Sequence, residues 1–539
     1  MSDFLWWRDG VIYQIYPRSF MDSNNDGIGD LPGITKKLDY LADLGIDAIW
    51  LSPVYPSPDA DFGYDISDYC EIDEKFGGMK AFNEFIHQAH SRNIKVIMDL
   101  VINHTSDQHS WFQQSRSSKT NEYRDWYIWK RKSERNKLPN NWQSRFGGSG
   151  WEWDPTTEEF YFHMFAKEQP DLNWSNPKVV EAILDMIKFW LEKGVDGFRL
   201  DVFNAYYKDE KFRNNPFKLG LPKFDQQKHI YDIDQPQMFH FLKEFRALLD
   251  SYPERYAVGE TFMGDFKTSA HYMGNDALHA AFEFSFLNSR YKPANFYQAI
   301  RQWEDELAQV GWPCYVLNNH DVIRSASRYT KSEDDGRLKV LATLMLTVRG
   351  TPFMYYGEEI GMRDIPINKK SDVLDPVGRV FWPFYKGRDG CRSPMQWNAD
   401  KNAGFSKEIP WLPVHDNFPW RNVAKQTNDP QSLLNFYKKL LKIRKEYPVF
   451  QNGMYMPLTY DPKKILAYIR QSNDQIALIA LNFNKKEVAL VLSSQLLKDD
   501  WKLLISNKRD TVPKIFDRKI TLFGNEAMVL LKQDHQFSE

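Results

Sequence analysis

The sequence predicts an α/β chain: a (β/α)8 TIM barrel with a small domain inserted after strand 3 and an all-β domain at its C-terminal side. Three observations predict it. Strand-like and helix-like stretches alternate through most of the 539 residues, and the alternation breaks in only two places. Four short apolar runs end in residues too polar to bury without a function. They are Asp99-Leu100-Val101-Ile102-Asn103-His104, Gly197-Phe198-Arg199-Leu200-Asp201, Val258-Gly259-Glu260 and Asn318-Asn319-His320-Asp321. A parallel barrel gathers the C-terminal ends of its strands on one face, which is where such residues can meet.

The elements follow in order. Strands are expected at 11–16, 48–53, 95–101, 197–201, 256–260, 278–285, 314–319 and 352–357. Among the helical patterns between them, 177–193 is the clearest, with Asn176 as N-cap, Pro177 in the first turn and Gly194 past the end. Its apolar positions Val179, Val180, Ile183, Met186, Ile187, Trp190 and Leu191 keep the helical period. Residues 105–175 are polar and aromatic without that period and read as the inserted domain; from 454 to 539 short alternating runs such as ILAYIR and IALIALNF read as a C-terminal β-sandwich. The barrel therefore takes 1–104 and 176–453.

Composition narrows the function. A net charge of −2 gives no electrostatic reason to expect nucleic acid or an anionic membrane as partner. No apolar window is long enough to span a bilayer, and no leader-like segment opens the sequence. Three scattered cysteines, Cys70, Cys314 and Cys391, suit reduced thiols and a cytoplasmic setting rather than a disulfide framework. Aromatics reach 15%, which suits sugar stacking and a large core alike. His87 and His90, one helical turn apart, have no accompanying carboxylate pattern and read as a surface pair.

The chemistry lies in the acids. Arg199 and Asp201 share one face of a strand, and the arginine favours an ionised Asp201, as a nucleophile requires. Glu260 ends an apolar strand near other carboxylates; desolvation and like charge would favour the protonated form that a general acid needs. Asp321, beside His320, adds a third carboxylate able to stabilise a cation-like sugar. Asp201 as nucleophile and Glu260 as acid/base make a retaining glycosidase, with carboxyls about 5–5.5 Å apart.

These motifs, in this order, resemble the α-amylase family of glycoside hydrolases over nearly the whole chain. The resemblance implies Asp201 as nucleophile, Glu260 as acid/base and Asp321 as transition-state stabiliser, with Arg199 beside the nucleophile and His104 and His320 binding sugar. Gln169-Pro170-Asp171-Leu172-Asn173 and Gly387-Arg388-Asp389-Gly390-Cys391-Arg392-Ser393-Pro394-Met395-Gln396-Trp397 resemble the oligo-1,6-glucosidase/α-glucosidase branch. The branch implies that Asp65, next to Tyr64, and Arg392 close the pocket around the 4-hydroxyl of a terminal glucose, with Tyr64, Phe146 and Phe165 lining the first sugar site. A closed pocket means exo action on short α-glucosides, α-1,4 or α-1,6, with transglucosylation as an accompanying outcome. Val202 after the nucleophile is similar to α-1,6-cleaving members, whereas the segment 203–216 is more similar to α-glucosidases of broad preference that transfer to alcohols.

Asp22-Ser23-Asn24-Asn25-Asp26-Gly27-Ile28-Gly29-Asp30 is an oxygen-rich loop suggestive of Ca2+ or Mg2+. Its twelfth position is Gly33, so it is not an EF-hand. The branch implies one structural ion held by Asp22, Asn24, Asp26, the Ile28 carbonyl and Asp30. Alternatives on the same scaffold are a sucrose isomerase or trehalulose synthase, and a phosphotrehalose hydrolase. The non-catalytic transporter heavy chains fit poorly, because all three carboxylates are present. The expected partner is a small oligosaccharide or α-glucoside, and the expected state is a monomer or homodimer.

Overall fold

The computed structural model describes residues 4–132, 138–282, 284–307, 311–459, 462–493, 496–497 and 501–533. Glu283 of the expected strand 278–285, and parts of the expected 1–104, 105–175 and 454–539 segments, lie outside the described residues. Eight parallel strands form the core: β1 (Ile12–Ile15), β2 (Ala48–Leu51), β3 (Lys95–Leu100), β4 (Gly197–Leu200), β5 (Tyr256–Glu260), β6 (Ala280–Phe282), β7 (Cys314–Val316) and β8 (Thr351–Tyr355). Each overlaps an expected strand, and most are shorter than expected.

The strand order β7-β8-β1-β2-β3-β4-β5-β6 is that of a barrel with a single seam, between β6 and β7. Side chains span that seam. The Cys314 thiol donates to the Ala281 carbonyl at 3.2 Å. Inside, Trp50, Phe282 and Phe353 pack as one aromatic layer, with ring centroids 4.7–6.2 Å apart. Strands covered on both faces read as continuous apolar runs, which is the pattern seen here.

The helix Pro177–Glu192 shows how local chemistry sets an element. The Asn176 side chain accepts from Lys178 N at 3.0 Å, and Gly194 takes φ +95° beyond the C-terminal end. Its apolar stripe buries Val179, Ile183, Met186, Ile187, Trp190 and Leu191, and Trp190 Nε1 donates to the Tyr69 carbonyl at 2.8 Å.

After β3 the chain leaves the barrel and forms a three-stranded antiparallel sheet from Trp129–Lys130, Glu159–Phe162 and Trp151–Asp154. Fully buried Asp171 anchors its return: the carboxylate takes Met164 N at 2.7 Å, Asn103 Nδ2 at 3.1 Å and the Lys208 ammonium at 3.0 Å. Near the C-terminus, a five-stranded antiparallel sheet and the hairpin-like pair Val488–Val491 with Lys519–Leu522 share one apolar core, including Ile465, Leu478, Leu490, Ile520 and Leu530. Among the described residues no helix is long and apolar enough to cross a membrane.

Buried Arg470 fastens the C-terminal sheet to the barrel, and buried Arg444 fixes the segment that leads into it. Arg470 donates to the carbonyls of Thr347 (2.6 Å), Gly453 (2.9 Å) and Phe450 (3.2 Å), and Arg444 donates to those of Gly350 (2.7 Å) and Phe450 (3.0 Å). Burial lowers both pKa values, to about 9 for Arg470 and about 10 for Arg444. Arg470→Met should therefore orphan several buried carbonyls and lower unfolding free energy by about 3 kcal/mol or more, read from the urea midpoint; an unchanged midpoint refutes the anchoring role.

Candidate active site

Register explains why the acids meet. Asp99 on β3 pairs directly with Arg199 on β4, and Leu200 pairs with Gly259 on β5, so Asp201 and Glu260 leave adjacent strands at the same height. The β7 loop brings His320 and Asp321 to the same face. Asp201, Glu260 and Asp321 all line one cavity of about 840 Å3, together with Tyr64, His104, Phe146, Phe165, His320 and Val202.

Arg199 is the hub. Its Nη1 donates to Asp99 Oδ1 at 2.7 Å and to Asp201 Oδ1 at 2.5 Å, while Nη2 donates to Glu260 Oε2. Burial alone would lower the arginine pKa, but Asp99 and Asp201 raise it and keep the guanidinium charged. Asp99 is itself pushed above the usual carboxylate range, first by burial and then by Asp201, against the pull of Arg199. Tyr64 Oη and Trp50 Nε1 also donate to Asp99 Oδ2, at 3.2 and 3.3 Å. Glu260, which the sequence places near other carboxylates, meets the Arg199 guanidinium here.

His320 lies parallel to the Tyr64 ring, centroids 5.2 Å apart, between Gln14 Nε2 at its Nδ1 (2.8 Å) and Tyr64 Oη at its Nε2 (2.6 Å). Burial drops its pKa to about 3, so near neutral pH the ring is uncharged. An amide donor at Nδ1 makes Nε2 the protonated nitrogen. Asp321 is pushed up by burial, yet His320, Arg388, Arg392 and Arg199 together hold it below the usual carboxylate range. Arg392 Nη2 meets Asp321 Oδ1 at 2.9 Å.

Two expected pocket residues stand elsewhere. Asp65 is fully buried and accepts from Ser57 Oγ, Ala60 N and Asp61 N at 2.8–2.9 Å, so its carboxylate ties the loop together and does not reach the cavity. Burial raises its pKa to about 6. Arg392 is also fully buried; it holds the His320 carbonyl (2.8 Å) and Asp321 from behind. The cavity wall is instead closed by Asp61 and Arg388, an ion pair at 2.5 Å that Asp375 shares at the same distance. Each lies four residues before the expected one, and nothing in a loop's sequence tells which of two nearby acids or arginines faces inward. Asp99, first residue of its motif, and Gln169, whose Nε2 lies 3.0 Å from both the Tyr64 carbonyl and His104 Nε2, also went unassigned.

The aromatic wall is continuous: Phe146, Phe165 and Phe262 follow one another with centroids 5.6–5.7 Å apart, and His104 stands 5.3 Å from Phe165. Val202 holds a left-handed backbone, φ 38° and ψ 37°. A β-branched residue there costs on the order of 1–3 kcal/mol and persists only where its surroundings impose it. It turns the chain sharply just after Asp201, while its own side chain reaches the cavity.

Residues 14–453 match the family described as "Alpha amylase, catalytic domain", and 457–527 match "Maltogenic Amylase, C-terminal domain". The chain belongs to the α-amylase family. Within it, a probable α-glucosidase of Rhizobium meliloti is 44% identical over 83% of this chain and 84% of its own length. The oligo-1,6-glucosidase of Parageobacillus thermoglucosidasius is 41% identical over 93% and 95%. Of solved structures in the family, an α-glucosyl transfer enzyme, XgtA, superposes with TM-score 0.92 at 38% identity, covering 98% of this chain and all of its own. Trehalose-6-phosphate hydrolase of Bacillus licheniformis superposes with TM-score 0.88 at 36% identity, with the same coverage.

The loop 22–30 offers only oxygen donors. Buried Asp22 accepts from Asn24 N, Asn25 N and Gly27 N, and buried Asp30 accepts from Ser23 and Gly33 N. Asp26 takes Ile28 N and the Asn24 amide. Among the described residues neither Asp22 nor Asp30 has a basic partner, and no three His, Cys, Asp or Glu side chains cluster as ligands. Two buried carboxyls without counter-charge, beside an amide oxygen and a carbonyl, suit a hard cation chemically.

Asp99→Asn removes one of the three anions on Arg199. It should lower kcat/KM about 10- to 100-fold, an electrostatic loss near that of one preorganised donor. Because Asp99 titrates above the usual carboxylate range and is anionic only on the alkaline side, the variant should also shift the acid limb of the kcat/KM profile to lower pH. An unmoved limb would show that Asp99 does not tune the site.

Proposed function

We propose that the protein is an exo-acting, retaining α-glucosidase of short α-glucosides. The observation that carries this reading is the shared guanidinium. Asp201 and Glu260 sit on the two amino groups of Arg199, a close pairing that supports nucleophilic attack by one carboxylate over the wider spacing an inverting enzyme needs for its water. The Asp61–Arg388 pair across the cavity wall favours a single terminal glucose over an internal stretch of chain.

In the first step Asp201 attacks the anomeric carbon while Glu260, protonated in the Michaelis complex, gives its proton to the departing oxygen. The resulting glucosyl ester is then opened by water, with Glu260 now taking the proton. Asp321, held ionised by its arginines, faces the oxocarbenium-like sugar; Tyr64, His104 and neutral His320 hold the ring and its hydroxyls. Arg199 holds Asp201 in place through its Nη1. Transfer to an acceptor hydroxyl competes with water at the same ester. Names of relatives that act on trehalose 6-phosphate or make trehalulose leave those two activities as alternatives for product analysis. Three free cysteines support a reducing, cytoplasmic setting.

A divalent ion, Ca2+ or Mg2+, would be held by Asp22, Asn24, Asp26, the Ile28 carbonyl and Asp30. Bound there, it would stiffen the loop after β1. Chelation should lower the thermal midpoint by several degrees, and added Ca2+ should restore it; an unchanged midpoint would remove the ion from the reading.

Hydrolysis of maltose or isomaltose followed by NMR should show α-glucose first, and β-glucose first would overturn retention. Glu260→Gln should lose about 10²- to 10⁴-fold in kcat/KM on maltose but much less on p-nitrophenyl α-glucoside, whose leaving group needs little protonation. Equal losses on both would reject Glu260 as the acid.

A further inference from the structure

The loop after β7, which carries His320 and Asp321, is tied down from its buried side. Asn318 opens the loop, and its Oδ1 accepts from Ser325 N on the far side of it. A backbone N–H can only donate, so this contact fixes the amide's orientation and leaves Nδ2 as the donor. Nδ2 donates to Oε2 of Glu358, which lies just past β8. The other carboxyl oxygen, Oε1, accepts from Tyr437 Oη at 3.0 Å, on the helix Leu433–Glu446. Asn319 Oδ1 in turn accepts from Asp321 N at 2.9 Å. One carboxyl thus joins the catalytic loop, the end of β8 and a helix remote in sequence.

Burying a carboxyl is costly. Glu358, Asn318 and Tyr437 are all buried, and among the described residues Glu358 has no ion-pair partner. Burial raises its pKa to about 7, with the neighbouring Glu359 adding to the rise. Glu359 is held separately, by Tyr13 Oη at 2.8 Å and Tyr40 Oη at 2.7 Å. Arg328 senses the charge of Glu358, but its two amino groups donate to the carbonyls of Leu287 and Leu317. Replacing hydrogen-bonded groups on both sides by apolar ones of the same shape is close to neutral for stability. What Glu358 and Asn318 supply is therefore geometry: an acceptor and a donor that fit in one orientation only.

We propose that Glu358 is a positioning residue of the reaction: through Asn318 it fixes the loop that sets Asp321 against the sugar. The inference rests on the α-glucosidase reading above. Arg392 and Arg388 hold the Asp321 carboxylate, whereas Glu358 holds the backbone from which that carboxylate projects. Misplacing a reacting group by about 1 Å can lower a rate about 100-fold. A slack loop weakens an interaction made in the transition state, so it lowers kcat and leaves KM close to its wild-type value.

The test exchanges donor and acceptor, with kcat and KM on maltose and the thermal midpoint measured for each variant. Asn318→Asp, which sets a carboxylate against Glu358, and Glu358→Ala should each lower kcat about 10- to 100-fold. Glu358→Gln alone should stay within about threefold of wild type, because the new amide still accepts from Asn318 while donating to the Tyr437 hydroxyl. The double variant Asn318→Asp/Glu358→Gln should also return to within about threefold. In it the new amide donates to the new carboxylate, and Ser325 N and Tyr437 keep their acceptors. An Asn318→Asp loss that Glu358→Gln does not relieve overturns the proposal. So does a Glu358→Ala variant that loses thermal midpoint but keeps kcat, which would make the contact structural only. If a single variant does not fold, Tyr437→Phe decides: removing one oxygen should lower kcat about two- to fivefold at unchanged KM, and an unchanged kcat refutes the role. Wild-type protein that cleaves neither maltose, isomaltose nor p-nitrophenyl α-glucoside would instead defeat the α-glucosidase reading itself.

Discussion

The site depends on one buried cation. Arg199 touches Asp99, Asp201 and Glu260 at once, and without it three carboxyls would crowd a space where like charges cannot all ionise. Desolvating a guanidinium is costly, and its partners offset that cost only when geometry and hydrogen bonding are good. Parallel register supplies the geometry: Asp99 and Arg199 are directly paired residues of neighbouring strands. The barrel thus fixes the arginine, the arginine fixes the acids, and the loops adjust around them.

A second arrangement of opposite sign lies across the cavity. Asp321 has arginines behind and beside it, with Arg392 supporting it from the buried side and Arg388 on the cavity wall. One acid set is anchored by a single cation shared three ways; this acid is surrounded by several. The contrast suits a division of labour, because a nucleophile and a proton carrier must change state while a stabilising carboxylate must stay charged. Val202 belongs to the same arrangement: its strained backbone turns the chain directly behind Asp201, and only a rigid barrel can impose that conformation on a β-branched residue.

Much of this was legible in the sequence. Strand periodicity and four polar endings located the eight strands, and the Asn176 cap with the stripe through Trp190 located a helix, because both rest on local chemistry. Asp201, Glu260, His104, His320 and Asp321 were legible because strand ends carry them to one face, and Tyr64 joins them from the loop after β2. Asp65 and Arg392 were misplaced, and Asp61 and Arg388 missed, since all four lie in loops. There a residue's direction is set by distant partners such as Asp375, and no period marks the inward side.

The sequence by itself determined the strands, their polar endings and the identity of the acids, since periodicity and capping act within a few residues of chain. Tertiary structure alone decided which acid shares a cation with which, and that Asp61 and Arg388 close the wall. Those facts depend on strand register and on loops far apart in sequence, where electrostatics and burial act through space and leave no pattern along the chain.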